Sequence, residues 1–161
     1  MKIKHIFVLM ISLTLISQAL PIQAQELDKN FMILTPLIGS WIGHFDDVEE
    51  QNFVLKMTIE PILGGKAVRL EFSTAGMNRE SVFYWDTEKK QINFLALTSN
   101  SYVTSGRVYS EGPVIVTEYK QINPDGTIWK SKGTWEVAPN GNLINRDGHT
   151  AIYERETDDK K

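Results

Sequence analysis

Phe53-Val54-Leu55-Lys56-Met57-Thr58-Ile59-Glu60, the turn Pro61-Ile62-Leu63-Gly64-Gly65 and the return Val68-Arg69-Leu70-Glu71-Phe72-Ser73 decide the fold of this chain. Phe53, Leu55, Met57 and Ile59 alternate with Val54, Lys56, Thr58 and Glu60. On the return, Val68, Leu70 and Phe72 alternate with Arg69, Glu71 and Ser73. A period of two belongs to strands with one face in a core and the other in solvent. Gly64 and Gly65 supply the positive φ that a tight turn needs, so the two runs form a β-hairpin.

The same alternation continues outward. Strands are expected at Ser81 to Trp85, Gln91 to Thr98, Tyr102 to Tyr109, Val114 to Ile122, Thr127 to Val137, Leu143 to Arg146 and His149 to Arg155, with a first strand opening near Trp41. Asn123-Pro124-Asp125-Gly126 and Pro139-Asn140-Gly141-Asn142 carry strong turn chemistry, Pro fixing φ and Gly accepting φ > 0. About eight to ten strands joined by short turns imply an all-β, up-and-down antiparallel barrel, which removes sheet edges by closure. A two-sheet sandwich is the alternative, and no connection is long enough to favour it. One helix is expected, from Gln25 to Ile38, where Leu27, Phe31, Leu34, Leu37 and Ile38 recur at helical spacing and Pro36 restricts the end.

Composition narrows the setting. The chain has 161 residues, 42% of them apolar and 23% charged, no cysteine and a formal charge of −3. Lys2 and Lys4 precede a mainly apolar run from Ile6 to Ile16 and the small residues Ser17, Ala19 and Ala24, the order of a secretory signal peptide over residues 1–24. That run is too short to span a bilayer, so no membrane span is expected after cleavage. Losing Lys2 and Lys4 takes the 17 basic residues to 15 against 20 acidic ones, a charge of −5. Nucleic acid is therefore excluded as a partner, because phosphate neutralisation needs clustered Lys and Arg. The expected compartment is the periplasm or the exterior, where a cysteine-free domain avoids stray thiol chemistry. The expected organisation is a signal at 1–24, a barrel at 25–155 and a charged tail at 156–161; oligomeric state is not legible.

Gly39-Ser40-Trp41-Ile42-Gly43 after the helix, Pro61-Ile62-Leu63-Gly64-Gly65-Lys66-Ala67-Val68-Arg69, and Tyr84-Trp85-Asp86 before a Lys-rich turn together resemble the bacterial family known as domain of unknown function 1579, a calycin-like barrel. The similarity covers essentially the whole mature chain and extends distantly to lipocalins and to the haem-binding nitrobindins. It implies a barrel closed at one end by Gly39 and Trp41, with Arg155, from the last strand, packed across the indole. It brings no established activity.

Covalent catalysis has no footing, since there is no cysteine and no Gly-x-Ser-x-Gly. Beyond the signal the histidines are His44 and His149, too few for an obvious metal site. Asp46-Asp47 and Glu49-Glu50 lack the ligand frame of a calcium loop and read as a solvated segment. The function expected is noncatalytic: an exported barrel holding a small apolar or amphipathic ligand in its cavity. Trp129, Ser131, Gly133 and Trp135 share one strand face, and the two small residues between the indoles would leave a notch for a flat ligand. Tyr84, Tyr102, Glu118 and His149 complete the cavity candidates. The alternatives are a cofactor-free enzyme using Glu118 and His149 as an acid–base pair, a haem barrel, and a filled structural barrel. Nitrobindin-like proteins place their axial histidine near the end of the barrel, but the Ala that follows His149 stands one residue out of their frame. Since a one-residue slip flips a strand side chain, His149 is expected outward or at the rim and haem is not expected to bind.

Overall fold

The computed structural model describes residues 26–46 and 54–157. The signal segment and all but Asp46 of the acidic run fall outside the described residues. Ten strands form one closed antiparallel barrel: β1 (Gly39–Phe45), β2 (Leu55–Ile62), β3 (Ala67–Thr74), β4 (Met77–Asp86), β5 (Gln91–Thr98), β6 (Val103–Glu111), β7 (Val114–Ile122), β8 (Ile128–Val137), β9 (Leu143–Asp147) and β10 (His149–Arg155). Each strand pairs with its neighbours in sequence, and β10 closes onto β1 with Trp41 opposite Arg155. The deciding hairpin is β2–β3, in which Met57, Ile59, Val68 and Leu70 are buried.

The helix is shorter and tighter than its sequence suggests. It is a 3₁₀ helix, Lys29–Leu37, and its buried residues Phe31, Leu34 and Leu37 fall three apart, matching three residues per turn. Asp28 caps it by accepting from the Asn30 N–H at 2.9 Å. Such a helix has little stability of its own; here its three apolar side chains plug one end of the barrel and belong to the same core as Trp41, Leu143 and Tyr153.

Strand direction then sorts the interior into two levels. The plugged end holds aliphatic and aromatic side chains, among them Trp41, Ile59, Val68, Ile92 and Leu143. At the far end the inward-facing positions of neighbouring strands carry Arg79, Tyr119, Trp129, Asp147 and His149. Among the described residues no helix covers that end.

Candidate functional site

The plug is fixed by one tryptophan. Trp41 is 1% exposed, its indole N–H donates to the Leu37 carbonyl at 2.8 Å, and the Arg155 guanidinium lies 4.3 Å from its ring centre. Arg155 also donates to the Ile38 carbonyl at 2.8 Å, tying the last strand to the helix end. A Cβ at Gly39 would come within 2.2 Å of the Arg155 Nη1, and the backbone there has φ of +139°, so glycine is what lets the guanidinium reach the indole.

Above the plug lies a cavity of about 240 Å³, walled by Phe45, Leu70, Phe83, Phe94, Trp135 and Tyr153. The walls are an aromatic belt. Phe83 and Phe94 are 5.6 Å apart, Phe94 meets Tyr119 edge-on at 6.4 Å, and Trp135 stacks on Tyr153 at 6.4 Å. On the side away from the plug the lining turns polar, with Arg79, Thr117, Tyr119, Asn145, Asp147 and His149. A vestibule of about 510 Å³ lies beyond, bordered by Tyr102, Thr104, Gln121, Pro124 and Trp129; Met77 and Arg79 line both spaces.

The polar side is organised by β7, β8 and β9. The Tyr119 hydroxyl donates to Asp147 Oδ1 at 2.5 Å. Burial, reinforced by that carboxylate, pushes the Tyr119 phenol up to about 12, and burial does the same to Tyr153, also to about 12. Gly133 faces this pair from β8: a Cβ there would stand 3.0 Å from Thr117 Oγ1 and 3.1 Å from the Asp147 side chain. His149 is the register partner of Asp147 across Gly148, whose φ of +77° allows the reversal between them. Its ring meets Phe45 edge-on at 5.9 Å. Arg79, half-buried, donates from Nε to Ser81 Oγ at 3.2 Å, and burial draws its pKa below the ordinary guanidinium value, with Asp147 opposing.

The residues singled out in the sequence scatter over this frame. Trp135 and His149 line the cavity, and Tyr102 and Trp129 line the vestibule. Trp129 is 64% exposed, and Ser131 is exposed as well, so no notch forms between two buried indoles. The correction has a geometric cause: β8 outruns the core, so its inward face leaves the interior before it reaches Ser131. The space that Gly133 provides is taken by Asp147 and Thr117 rather than by open cavity.

Tyr84 and Glu118 lie on the outer wall and are removed from the cavity set. Glu118 pairs with Arg107, its cross-strand partner, at 2.6 Å and accepts from the Tyr109 hydroxyl at 2.6 Å; these two contacts hold its carboxyl below the usual range. Glu118 and His149 therefore occupy opposite faces of the wall and form no acid–base pair. His149 is at the rim, on the inward face of the first position of β10, and not outward. His44 is exposed on the outward face of β1, on the other side of the wall from His149. Among the described residues no group of three or more His, Asp or Glu side chains is arranged to hold a metal ion. The cavity's volume falls below the roughly 300–1,000 Å³ of pockets for drug-sized ligands.

The residues missed were Arg79 and Asp147. Arg79 carries a sequence signal, since Met77, Arg79, Ser81 and Phe83 share one parity and Phe83 is core. An arginine on the inward face of a strand is the feature to have read.

Fold and site together define a ten-stranded barrel with a plugged base and an internal cavity that turns polar on the side away from the plug. The solved structure of Rv2717c from M. tuberculosis is similar to this chain over 82% of its length and over the whole of that protein, with a TM-score of 0.52 and 15% identity. At that identity the likeness supports the barrel fold. No known family profile and no curated protein matches the chain.

Proposed function

We propose that this chain is an exported, noncatalytic barrel of the calycin-like bacterial family named above, and that it holds a small apolar or amphipathic molecule in its cavity. The observation that carries the reading is the aromatic cavity of about 240 Å³ with its polar side toward the vestibule. Close-packed interiors leave few voids larger than a water, and this one corresponds to about eight waters at ~30 Å³ each. An aromatic wall with a few convergent polar groups is the usual make-up of a small-molecule pocket. Among the described residues no helix is long and apolar enough to cross a membrane.

Native mass spectrometry of the protein purified from its own compartment tests the reading. The expected result is a small-molecule adduct released on gentle activation, together with quenching of tryptophan emission when an apolar probe is titrated in, since Trp135 lines the cavity. A protein that carries no adduct and takes up no probe overturns it.

A further inference from the structure

The barrel closes, yet one stretch of it keeps an open edge. β8 pairs with β7 from Ile128 to Trp135 but with β9 only from Thr134 to Val137. Among the described residues no strand therefore covers the β9 side of positions 128–133. The backbone N–H and C=O groups turned to that side are a template for one more strand. The edge is held in shape from behind by β7 and by the turn that joins the two strands. In that turn the Asn123 N–H donates to the Thr127 carbonyl at 2.9 Å, and Asp125 accepts from the Thr127 N–H at 2.9 Å.

The side chains along this edge carry a definite chemistry. Ile128 is 58% and Trp129 64% exposed, although both are types that interiors take up. Lys130 and Lys132 follow, also exposed. Lys130 stands directly opposite Lys120 of β7, a like-charge pair that costs stability, and among the described residues neither makes an ion pair. The carboxylates nearby are engaged, Glu118 with Arg107, Glu111 with Lys132 at 3.1 Å and Asp125 within the turn. Lysines alone would guard an edge against pairing. Ile128 and Trp129 beside them add apolar surface for an incoming strand to cover. A second copy is a poor occupant, because antiparallel alignment of 128–132 with itself centres on Lys130 facing its own counterpart.

We infer that the open edge of β8 docks an extended acidic segment of a partner protein, which adds to the sheet as an antiparallel strand. Residues directly opposite one another on neighbouring strands share a face and touch. The segment would then read acidic, any, acidic, apolar, apolar, with carboxylates facing Lys132 and Lys130 and apolar side chains covering Trp129 and Ile128. Main-chain hydrogen bonds supply the affinity in this mode, and alternate side chains supply the selection. The inference holds whether or not the cavity carries a ligand.

The probes are the peptide acetyl-Thr-Glu-Thr-Glu-Phe-Val-Thr-amide and its counterpart with Lys in place of both Glu, titrated by calorimetry into the chain purified from its own compartment. Amide hydrogen exchange at 128–133 reports where they bind. The glutamate peptide is expected to bind about tenfold more tightly than the lysine peptide and to slow exchange at alternate amides of the edge. Two further versions of it, N-methylated on alternate amides in one phase or the other, separate strand addition from a simple charge contact. Only the version whose methyl groups face β8 should lose binding. In K130E, an exposed substitution, the preference for the glutamate peptide should fall to near parity. Equal affinity for the two charged peptides overturns the inference, as does equal binding by the two N-methylated versions or an unchanged preference in K130E. So does an absence of binding at millimolar peptide. Slow exchange in the chain alone, growing with its concentration, would assign the edge to a second copy. Slow exchange produced by phosphatidylglycerol vesicles and not by the peptide would assign it to a lipid surface, and either result overturns the inference.

Discussion

Replacing Trp41 by alanine is expected to remove the keystone of the plug. With 1% of its surface exposed, Trp41 buries nearly its whole side chain, on the order of 200 Å²; at about 25 cal/mol per Å² this is worth ~5 kcal/mol as an upper bound. Its N–H bond to the Leu37 carbonyl adds about 1 kcal/mol, and the cavity left behind cannot collapse far between a helix and a closed sheet. We expect a loss of about 3 to 5 kcal/mol in urea unfolding followed by far-ultraviolet circular dichroism. Arg155→Ala is expected to cost less, because the guanidinium is exposed and its stacking on an indole is worth roughly 0.5 to 1 kcal/mol in that setting. The two losses share one contact, so the double variant should be more stable than the sum of the singles predicts by about 0.5 kcal/mol or more. A coupling within error of zero would refute the claim that Arg155 locks the plug through Trp41.

Gly133→Ala is expected to displace Asp147, since the new methyl would crowd Thr117 Oγ1 and the Asp147 side chain; ligand affinity and thermal midpoint should both fall, and a normal midpoint with unchanged binding would show that the strand has room to give. Tyr119 and Tyr153 are expected to ionise only near pH 12, as followed by phenolate absorbance. Because their folded pKa values lie above the unfolded value of about 10, their contribution to stability is complete below pH 10 and drains away as pH rises toward 12, a loss that Tyr153→Phe should reduce. Glu118→Gln should leave cavity binding untouched, since Glu118 is on the outer wall with Arg107; lost binding would contradict that placement.

Most of the barrel was legible because its signal is local. Each strand needs only a period of two, and β5, β7 and β10 run between the limits their alternation sets, Gln91 to Thr98, Val114 to Ile122 and His149 to Arg155. The helix was misjudged in length because spacing of three and of three to four overlap over nine residues, and Leu27 and Ile38 fell by chance on the longer pattern. The site was far less legible. Parity correctly puts Trp129 and Trp135 on one face, but parity does not say how far along a strand the core extends, and Trp129 lies beyond it. Glu118 was misplaced because nothing local marks the inner face of β7 until Thr117 and Tyr119 are set against Gly133 and Ser131 of the next strand. Asp147 and Tyr119 are separated by 28 positions and meet only because β7, β8 and β9 are neighbours in the closed sheet.

The glycines of the inner wall show how one sequence builds both a tight plug and an unfilled cavity. A Cβ at Gly43 would strike the Tyr153 ring at 2.5 Å, one at Gly106 would come within 2.7 Å of the Tyr119 Cβ, and one at Gly133 would press on Asp147. Each glycine sits on the strand next to a residue that lines the cavity, so each lets a large or polar side chain lie flat against the wall instead of projecting into the centre. The consequence is that Tyr153, Tyr119 and Asp147 bound the space without occupying it. At the plugged end the inward positions carry no such spacers beyond Gly39, and Trp41, Ile59, Val68 and Leu143 belong to one packed cluster. Stability is thus concentrated at the base, where burial is complete, and the far end is left free to shape the cavity. In a barrel with no disulfide to rely on, that division is what allows an unfilled space to persist in the fold: the base supplies the margin of stability.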